Sequence, residues 1–496
     1  MTDQASHLAQ LPRELLDRIA SHLPTTAFNA LRLTCKTVEN NLFKYWSNAF
    51  FAKRQFMIDK FSLRTLVDIS EHAILSRTLK HLVIGLDDLA RISTRLTPSA
   101  DELFQARSAI GAQQALLDTG EVGDVLARAL EKLPNLETID LRDFDSRTRF
   151  RDRVEGEPVP YWRSYGASQY GQWSRDAPPS QYDHVRFSRA NDFISRVCRA
   201  VITTLAKAPS GVRRLEFILR RPSYGLQDEA FIMSPALPAG TLSTLTALHL
   251  DLALPDEGTD YAWSHPLPES AVWDVSTLHL RRLLHCTPSV TWLRLNFKTW
   301  SDNNRVGAFI TWLGRQPQND ATRSASLIDP DPITLDLRRL DLGGLICPSR
   351  HLVALLDKFS KLKYLSLRNI RMGGFPGDGD DVWADFLRQL PARSPQLNRL
   401  ELRDLLLHCA RSIEEPVMFE KQGVSPLQLL TSIVMEDVDG QKTEELAALI
   451  RQPDYRTHTS EDEMDEDDED DVDNDVDVDE DDDHASEDDD GDDEDS

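Results

Sequence analysis

No run of 18 apolar residues occurs anywhere in the 496-residue chain, so no membrane-crossing helix is expected. Cysteine is scarce. Cys35, Cys198, Cys286, Cys347 and Cys409 are odd in number, far apart, and form no CxxC pair. That excludes a disulfide framework and points to free, mostly buried thiols in a reducing compartment. No secretory signal opens the chain, so cytoplasm and/or nucleus are expected and secretion is not. Catalytic signatures are missing as well: there is no HExxH, no GxSxG and no Walker loop. His285–Cys286 and His408–Cys409 are sequence neighbours, whose side chains diverge on a helix or strand, so neither pair suits one metal. No catalytic residue, metal or cofactor is assigned on these grounds. An excess of basic charge is also absent. The formal net charge is −26, but Glu461–Ser496 alone holds 26 of the 82 acidic residues and no Lys or Arg. The remaining 56 acidic residues balance the 56 basic ones, so the folded body offers no electrostatic case for nucleic acid or acidic membranes.

What is present begins at Leu11-Pro12-Arg13-Glu14-Leu15-Leu16-Asp17-Arg18-Ile19 and runs through Leu23-Pro24 to Leu31-Arg32-Leu33-Thr34-Cys35-Lys36. Pro12 suits a helix start, where its missing N–H costs nothing, and Glu14 lies on the favourable side of the helix dipole. Leu15, Ile19 and Leu23 recur at helical spacing with Leu16 beside them, giving one apolar face. Pro24 stops the first helix, and Thr25 or Thr26 is placed to cap the second. Thr34 is a plausible cap for a third, with Val38, Leu42, Tyr45, Trp46, Phe50 and Phe51 at helical spacing. Some 40 residues cannot bury enough surface to be stable alone. At Leu11, Pro12, Glu14, Leu15, Leu16, Ile19, Leu23, Pro24, Leu31, Leu33, Cys35 and Lys36 the chain resembles the F-box, in order and over about 35 residues. The resemblance implies docking onto a Skp-family adaptor and, through it, onto a cullin scaffold. The adaptor-binding residues it implies are Leu11, Pro12, Leu15, Leu16, Ile19, Leu23, Leu31, Leu33, Cys35 and Lys36. Thr26-Ala27-Phe28 departs from the family pattern, where many members carry a charged residue and a leucine.

From residue 79 a second pattern recurs: apolar-x-x-apolar-x-apolar, starting at Leu79, Leu136, Val212, Leu245, Val290, Leu337, Leu362, Leu397 and Leu430. Its final alternation is a strand signal. Helix-like runs precede most copies, among them Val125–Leu133, Phe193–Leu205, Leu278–Leu284, Leu352–Phe359 and Val382–Leu390. Asp143-Phe144, Asn369-Ile370, Asp404-Leu405 and Asp437-Val438 occupy the same eighth and ninth positions in four copies. This part resembles leucine-rich repeats in a degenerate form, with a hydrophobic residue where the family carries Asn or Cys. Units of this kind cannot bury their faces alone and stack into a continuous core with parallel strands along one side.

The expected fold class is therefore α/β: a three-helix F-box (8–50), a helical linker (51–78), an irregular leucine-rich-repeat-like solenoid with parallel strands (79–457), and a disordered acidic tail (458–496) whose like charges prevent folding. An insertion at about 147–189 interleaves Tyr161, Trp162, Tyr165, Tyr170, Trp173, Tyr182 and Phe187 with arginines. Its four prolines argue against helix or central strand. Such a stretch suits an interface or packing on its own domain. In the repeats, Thr138 and Asp140, Arg214 and Glu216, Ala247 and His249, Trp292 and Arg294, Arg339 and Asp341, Tyr364 and Ser366, and Arg399 and Glu401 should point away from the leucines. Trp292, Arg294, Arg339, Tyr364 and Arg399 form the candidate recognition patch, with Arg339–Asp341 and Arg399–Glu401 weighed as solvated charge pairs. The function so implied is substrate recognition within an SCF-type cullin–RING ubiquitin ligase, by a chain that is not itself an enzyme and that binds an unidentified protein substrate. The alternative is a non-ligase scaffold whose acidic tail binds or shields basic proteins such as histones. The tail could also compete for arginine-rich parts of the repeat surface.

Overall fold

The computed structural model describes residues 7–91, 99–144, 164–170, 184–208, 210–221, 224–234, 240–254, 277–298, 304–316, 332–373, 381–408, 414–420 and 429–451. The tail, Cys409 and most of the 147–189 insertion lie outside these residues.

Three helices open the fold: α1 (Arg13–Ser21), α2 (Thr25–Arg32) and α3 (Lys36–Phe51). Pro12 and Pro24 stand immediately before α1 and α2, with φ of −51° and −63°. The prolines set the entry to both helices, and neither Thr25 nor Thr34 caps one. Thr34 instead donates its hydroxyl to the Leu31 carbonyl at 2.8 Å. Leu16, Ala20, Phe28, Val38, Leu42 and Phe50 build a small core of their own, with the Phe28 ring stacked on Phe50 at 5.8 Å. Trp46 and Phe51 on α3 touch both this core and the larger one behind it. The helical module is thus fastened to the body through α3.

The body is a ten-stranded sheet. Its parallel strands are β1 (Lys53–Met57), β2 (His81–Gly85), β3 (Thr138–Arg142), β4 (Arg214–Ile218), β5 (Ala247–Leu252), β6 (Trp292–Phe297), β7 (Arg339–Gly343), β8 (Tyr364–Arg368) and β10 (Arg399–Arg403); β15 (Ser432–Glu436) closes the far edge. Every strand from β2 onward in this sheet begins two residues after a pattern start read from the sequence. Parallel neighbours require a crossover, and helices such as Glu121–Leu130, Leu278–Cys286, Ser349–Lys358 and Val382–Arg393 supply it. Second and fourth strand positions point inward and line up by register: Leu82, Ile139, Leu215, Leu248, Leu293, Leu340, Leu365 and Leu400 form one row. They meet Leu126, Leu283, Leu355, Trp383 and Leu387 from the helices in one continuous core.

Three features depart from the expected solenoid. The segment expected as a helical linker contains β1, paired in register with β2. Its second position is Arg54, which lies over the rings of Phe51 and Tyr165 instead of supplying a leucine. The last copy, β15, runs antiparallel to β10. The helix expected from Phe193 starts at His184, inside the insertion. After the strands the chain bends. Asn369, Asp404 and Asp437 take φ of 50–52°, the left-handed region that Asn and Asp tolerate best among side-chain-bearing residues. The hydrophobic ninth positions Ile370 and Leu405 are buried. Asp143 does something else: its carboxylate accepts the backbone N–H groups of Arg220 and Arg221 at 2.8 and 3.0 Å. The bends at Asn369 and Asp404 lead into β9 (Arg371–Met372) and β11 (Leu406–His408), which form a small sheet with β12 (Glu414–Pro416); a second small sheet joins β13 (Met418–Glu420), β14 (Leu429–Leu430) and β16 (Ile450–Arg451).

The outer edge of β1 is covered by a piece of the insertion. Tyr165 bridges Phe56 and donates its N–H to the Gln55 carbonyl at 2.9 Å, while its ring stacks on Phe61 at 5.5 Å. This covers part of an otherwise open strand edge.

Candidate functional site: the open face of the sheet and the N-terminal helices

First, third and fifth strand positions point away from the core. Register sets the first positions in one line, His81, Thr138, Arg214, Ala247, Trp292, Arg339, Tyr364 and Arg399, and the antiparallel β15 adds its last residue, Glu436. Four of the five candidate patch residues therefore stand side by side in a single row. The Arg339 guanidinium lies between the two rings, 4.1 Å from the Trp292 centroid and 4.0 Å from that of Tyr364. Arg214 covers Trp292 from the other side at 4.9 Å, and Arg399 covers Tyr364 at 5.5 Å. The result is an alternating ladder of cations and rings, each contact contributing about 0.5–1 kcal/mol where exposed.

The third positions supply counter-charges. Asp341 receives both forks of Arg339, at 2.9 and 3.1 Å, and the Trp292 indole N–H. Glu401 accepts from the Tyr364 hydroxyl. Burial first, and then that hydrogen bond, pushes the phenol up to about 12, so it stays a donor. Arg399 pairs with Glu436 of β15 at 3.2 Å and not with Glu401; the antiparallel closure brings in a carboxylate that adjacency in sequence could not suggest. Glu216 meets Arg214 at 3.0 Å and His249 at 3.4 Å. His249 is buried, 4.3 Å from the Trp292 ring. Burial above all, helped by Arg294, Arg214 and Arg339, holds its pKa well below the usual value, so it stays neutral. Arg294, the fifth patch residue, stands in this third-position row beside His249 and Asp341, apart from the ladder.

His81, Asp140 and Glu216 bring three possible metal-ligand atoms within 4.8 Å of one another. Both carboxylates already have counter-ions, however: Arg142 on Asp140 and Arg214 on Glu216. A divalent cation would have to displace these guanidiniums, so the grouping reads as a charge network. Cys198 and Cys286 are buried thiols held above their usual pKa by that burial. Among the described helices none is long and apolar enough to cross a membrane.

Fifth strand positions also face outward. Reading the pattern only as far as its sixth residue overlooks them, although one more residue of alternation reaches Arg142, Arg368 and Arg403. The insertion's aromatics are described only at Tyr165 and Tyr170, and Tyr165 packs on its own domain.

The helical module sorts its residues differently. Leu16 is spent in the module's own core, and Leu11, Leu23 and Leu31 pack partly against it. Leu15, Ile19 and Leu33 are 48%, 39% and 76% exposed. Pro12, Cys35 and Lys36 are exposed as well. Neutral apolar side chains so exposed on adjoining helices do not serve the module's own stability.

The F-box domain model matches residues 8–40, and those residues are an F-box domain. No curated protein matches the chain. Among solved structures, the leucine-rich repeat-containing protein LegL7 from Legionella pneumophila aligns over 73% of this chain and 92% of its own, at 13% identity and a TM-score of 0.20. An alignment this loose carries no residue across.

Proposed function

We propose that the chain is a substrate-recognition subunit of an SCF-type cullin–RING ubiquitin ligase. The observation that carries this reading is the exposure of Leu15, Ile19 and Leu33 on an F-box domain whose own core is already complete without them. Pro12, Cys35 and Lys36 extend that surface, and Leu11, Leu23 and Leu31 support it from beneath; Leu16 belongs to the core and is left out of it. A Skp-family adaptor covers this face and links the chain to a cullin. Burying the three exposed side chains contributes about 1–1.5 kcal/mol each.

The open face of the sheet holds the substrate protein, with Trp292, Arg294, Arg339, Tyr364 and Arg399 at its centre. Because guanidiniums already cover the ring faces, a partner meets the edges of a stiff ladder. No bond is made or broken by this chain; it supplies proximity between substrate and the charged conjugating enzyme. Co-expression of the full chain with a Skp-family adaptor, followed by size-exclusion chromatography, tests the docking step. A single co-eluting peak is expected, and separate elution of the two proteins contradicts the assignment.

A further inference from the structure

The two edges of the large sheet differ. Tyr165 covers part of the β1 edge, whereas β15 has no neighbour on its outer side among the described residues. Outside its ladder with β10, the β15 backbone bonds to one described group, the Lys442 Nζ on the Glu436 carbonyl at 2.8 Å. In an antiparallel ladder alternate residues turn N–H and C=O to the other side, so β15 presents a row of unmade hydrogen bonds. Open edges are ordinarily blunted by lysine, proline, a bulge or an inward charge. β15 is short but has none of these: its register with β10 is unbroken, and its inward residues are Ile433 and Met435. Both touch the core yet stay half-buried, while their ladder partners Leu402 and Leu400 are fully buried. On the open face Val434 is 51% exposed, and Leu429, just ahead of the strand, is exposed too.

The order of residues says what covers this edge. Leu430-Thr431-Ser432-Ile433-Val434-Met435-Glu436-Asp437-Val438 has the same polar and apolar pattern read from either end, with Val434 at its centre. Two such strands laid antiparallel about that centre set Val434 against its own counterpart, Ile433 against Met435 and Ser432 against Glu436. Apolar meets apolar, and no like charges are opposed. Directly opposite residues share a face of the sheet, so the valines meet on the open side and the Ile433–Met435 pairs continue the core row. A contact between different proteins needs no such symmetry. A two-fold contact uses one patch on both subunits and requires that patch to complement itself. We propose that β15 pairs antiparallel with β15 of a second copy of this chain, about Val434, joining two sheets edge to edge. The N-terminal helices adjoin β1, at the opposite end of the strand order, so the join leaves the F-box domain of each copy clear. Five paired residues per copy bury less than the ~800 Å² per partner of a standard interface, so the association is weak and grows with concentration.

The test is sedimentation velocity of the full-length protein over a range of concentrations, in enough salt to screen the repulsion between two chains of net charge −26. A monomer–dimer equilibrium is expected. Val434→Lys, at an exposed position, sets two like charges opposite each other and should raise the dissociation constant about tenfold or more. Oxidative cross-linking reads the register and does not depend on that variant. Val434→Cys should form an intermolecular disulfide, because directly opposite Cα atoms lie about 4.5–5.5 Å apart, within disulfide reach. Glu436→Cys lies about 13 Å from its counterpart in this register. It should stay at the background set by the unaltered chain, whose Cys35 is exposed. Co-elution with the adaptor should be the same in all variants, so this result is separable from the docking step. A dimer unaffected by Val434→Lys, or cross-linking no stronger from position 434 than from 436, overturns the proposal. A monomer at every concentration also overturns it and leaves the edge to a strand of another protein.

Discussion

The N-terminal helices and the sheet each bury one face and leave another open, but the open faces are chemically opposite. The helices leave apolar side chains, Leu15, Ile19 and Leu33, without cover. The sheet leaves polar ones that largely satisfy each other: Arg339 with Asp341, Arg399 with Glu436, Tyr364 with Glu401. Uncovered apolar area gains free energy from almost any fitting partner. A self-paired polar face gains little in general and discriminates through the groups it leaves unpaired. The first arrangement suits one constant partner, and the second suits selection among many.

Substitutions can break or sharpen this contrast. The largest effect belongs to the buried side of the sheet. Leu293→Ala empties a fully buried position in the continuous core and should lower unfolding free energy by about 3–5 kcal/mol, whereas Leu15→Ala should change it by about 0.5 kcal/mol or less. Urea denaturation of both variants checks the pair, and comparable losses would mean Leu15 is a core residue after all. Next comes the ladder. Arg339→Ala removes the cation between two rings and leaves Asp341 with only the Trp292 N–H. As this arginine is partly solvated, a cost of about 1–2 kcal/mol is expected, again by urea denaturation; Arg294→Ala, outside the ladder, should cost less.

A pH effect follows on the helical side. Asp228 accepts the N–H groups of His279 and Leu280 at 3.1 and 2.8 Å at the start of the helix Leu278–Cys286. Burial outweighs these bonds and pushes its carboxyl from 3.8 up to about 6. The folded state therefore holds this proton more tightly than the unfolded chain. The stability it confers is complete below about pH 4 and is lost as pH rises through 6. Asp228→Asn keeps an acceptor and should flatten that part of a melting-temperature profile between pH 4 and 7. The smallest effect has the opposite sign. Arg368→Gln removes one of two like charges that register sets opposite each other at the ends of β8 and β10, the other being Arg403, and should stabilise the sheet by about 0.3 kcal/mol, a gain that thermal melting at low salt resolves best.

Much of this was legible in the sequence because period-2 alternation and parallel register are both set locally. The nine pattern starts locate nine strands, and the outward residues at their first and third positions follow. β1 escaped because Arg54 stands where the pattern demands a leucine, a substitution that works at a strand whose free edge is shielded by Tyr165. The reversal of β15 escaped because alternation is the same in either direction. Pairing of Arg399 with Glu436 depends on that reversal and could not be read from spacing. In the helical module, helical spacing marks an apolar stripe but does not divide it. Leu15 and Leu16 are neighbours, yet one faces solvent and the other the core, because α2 and α3 cover only part of the stripe.

The direct test of the docking face is a calorimetric titration of a purified Skp-family adaptor into the full-length chain and into Leu15→Ala/Ile19→Ala/Leu33→Ala, with melting temperatures recorded alongside. Loss of about 3–4 kcal/mol of binding, at least 100-fold in Kd, with unchanged melting is the expected result. Equal affinity of the two proteins for the adaptor, or no binding by either, would contradict the account.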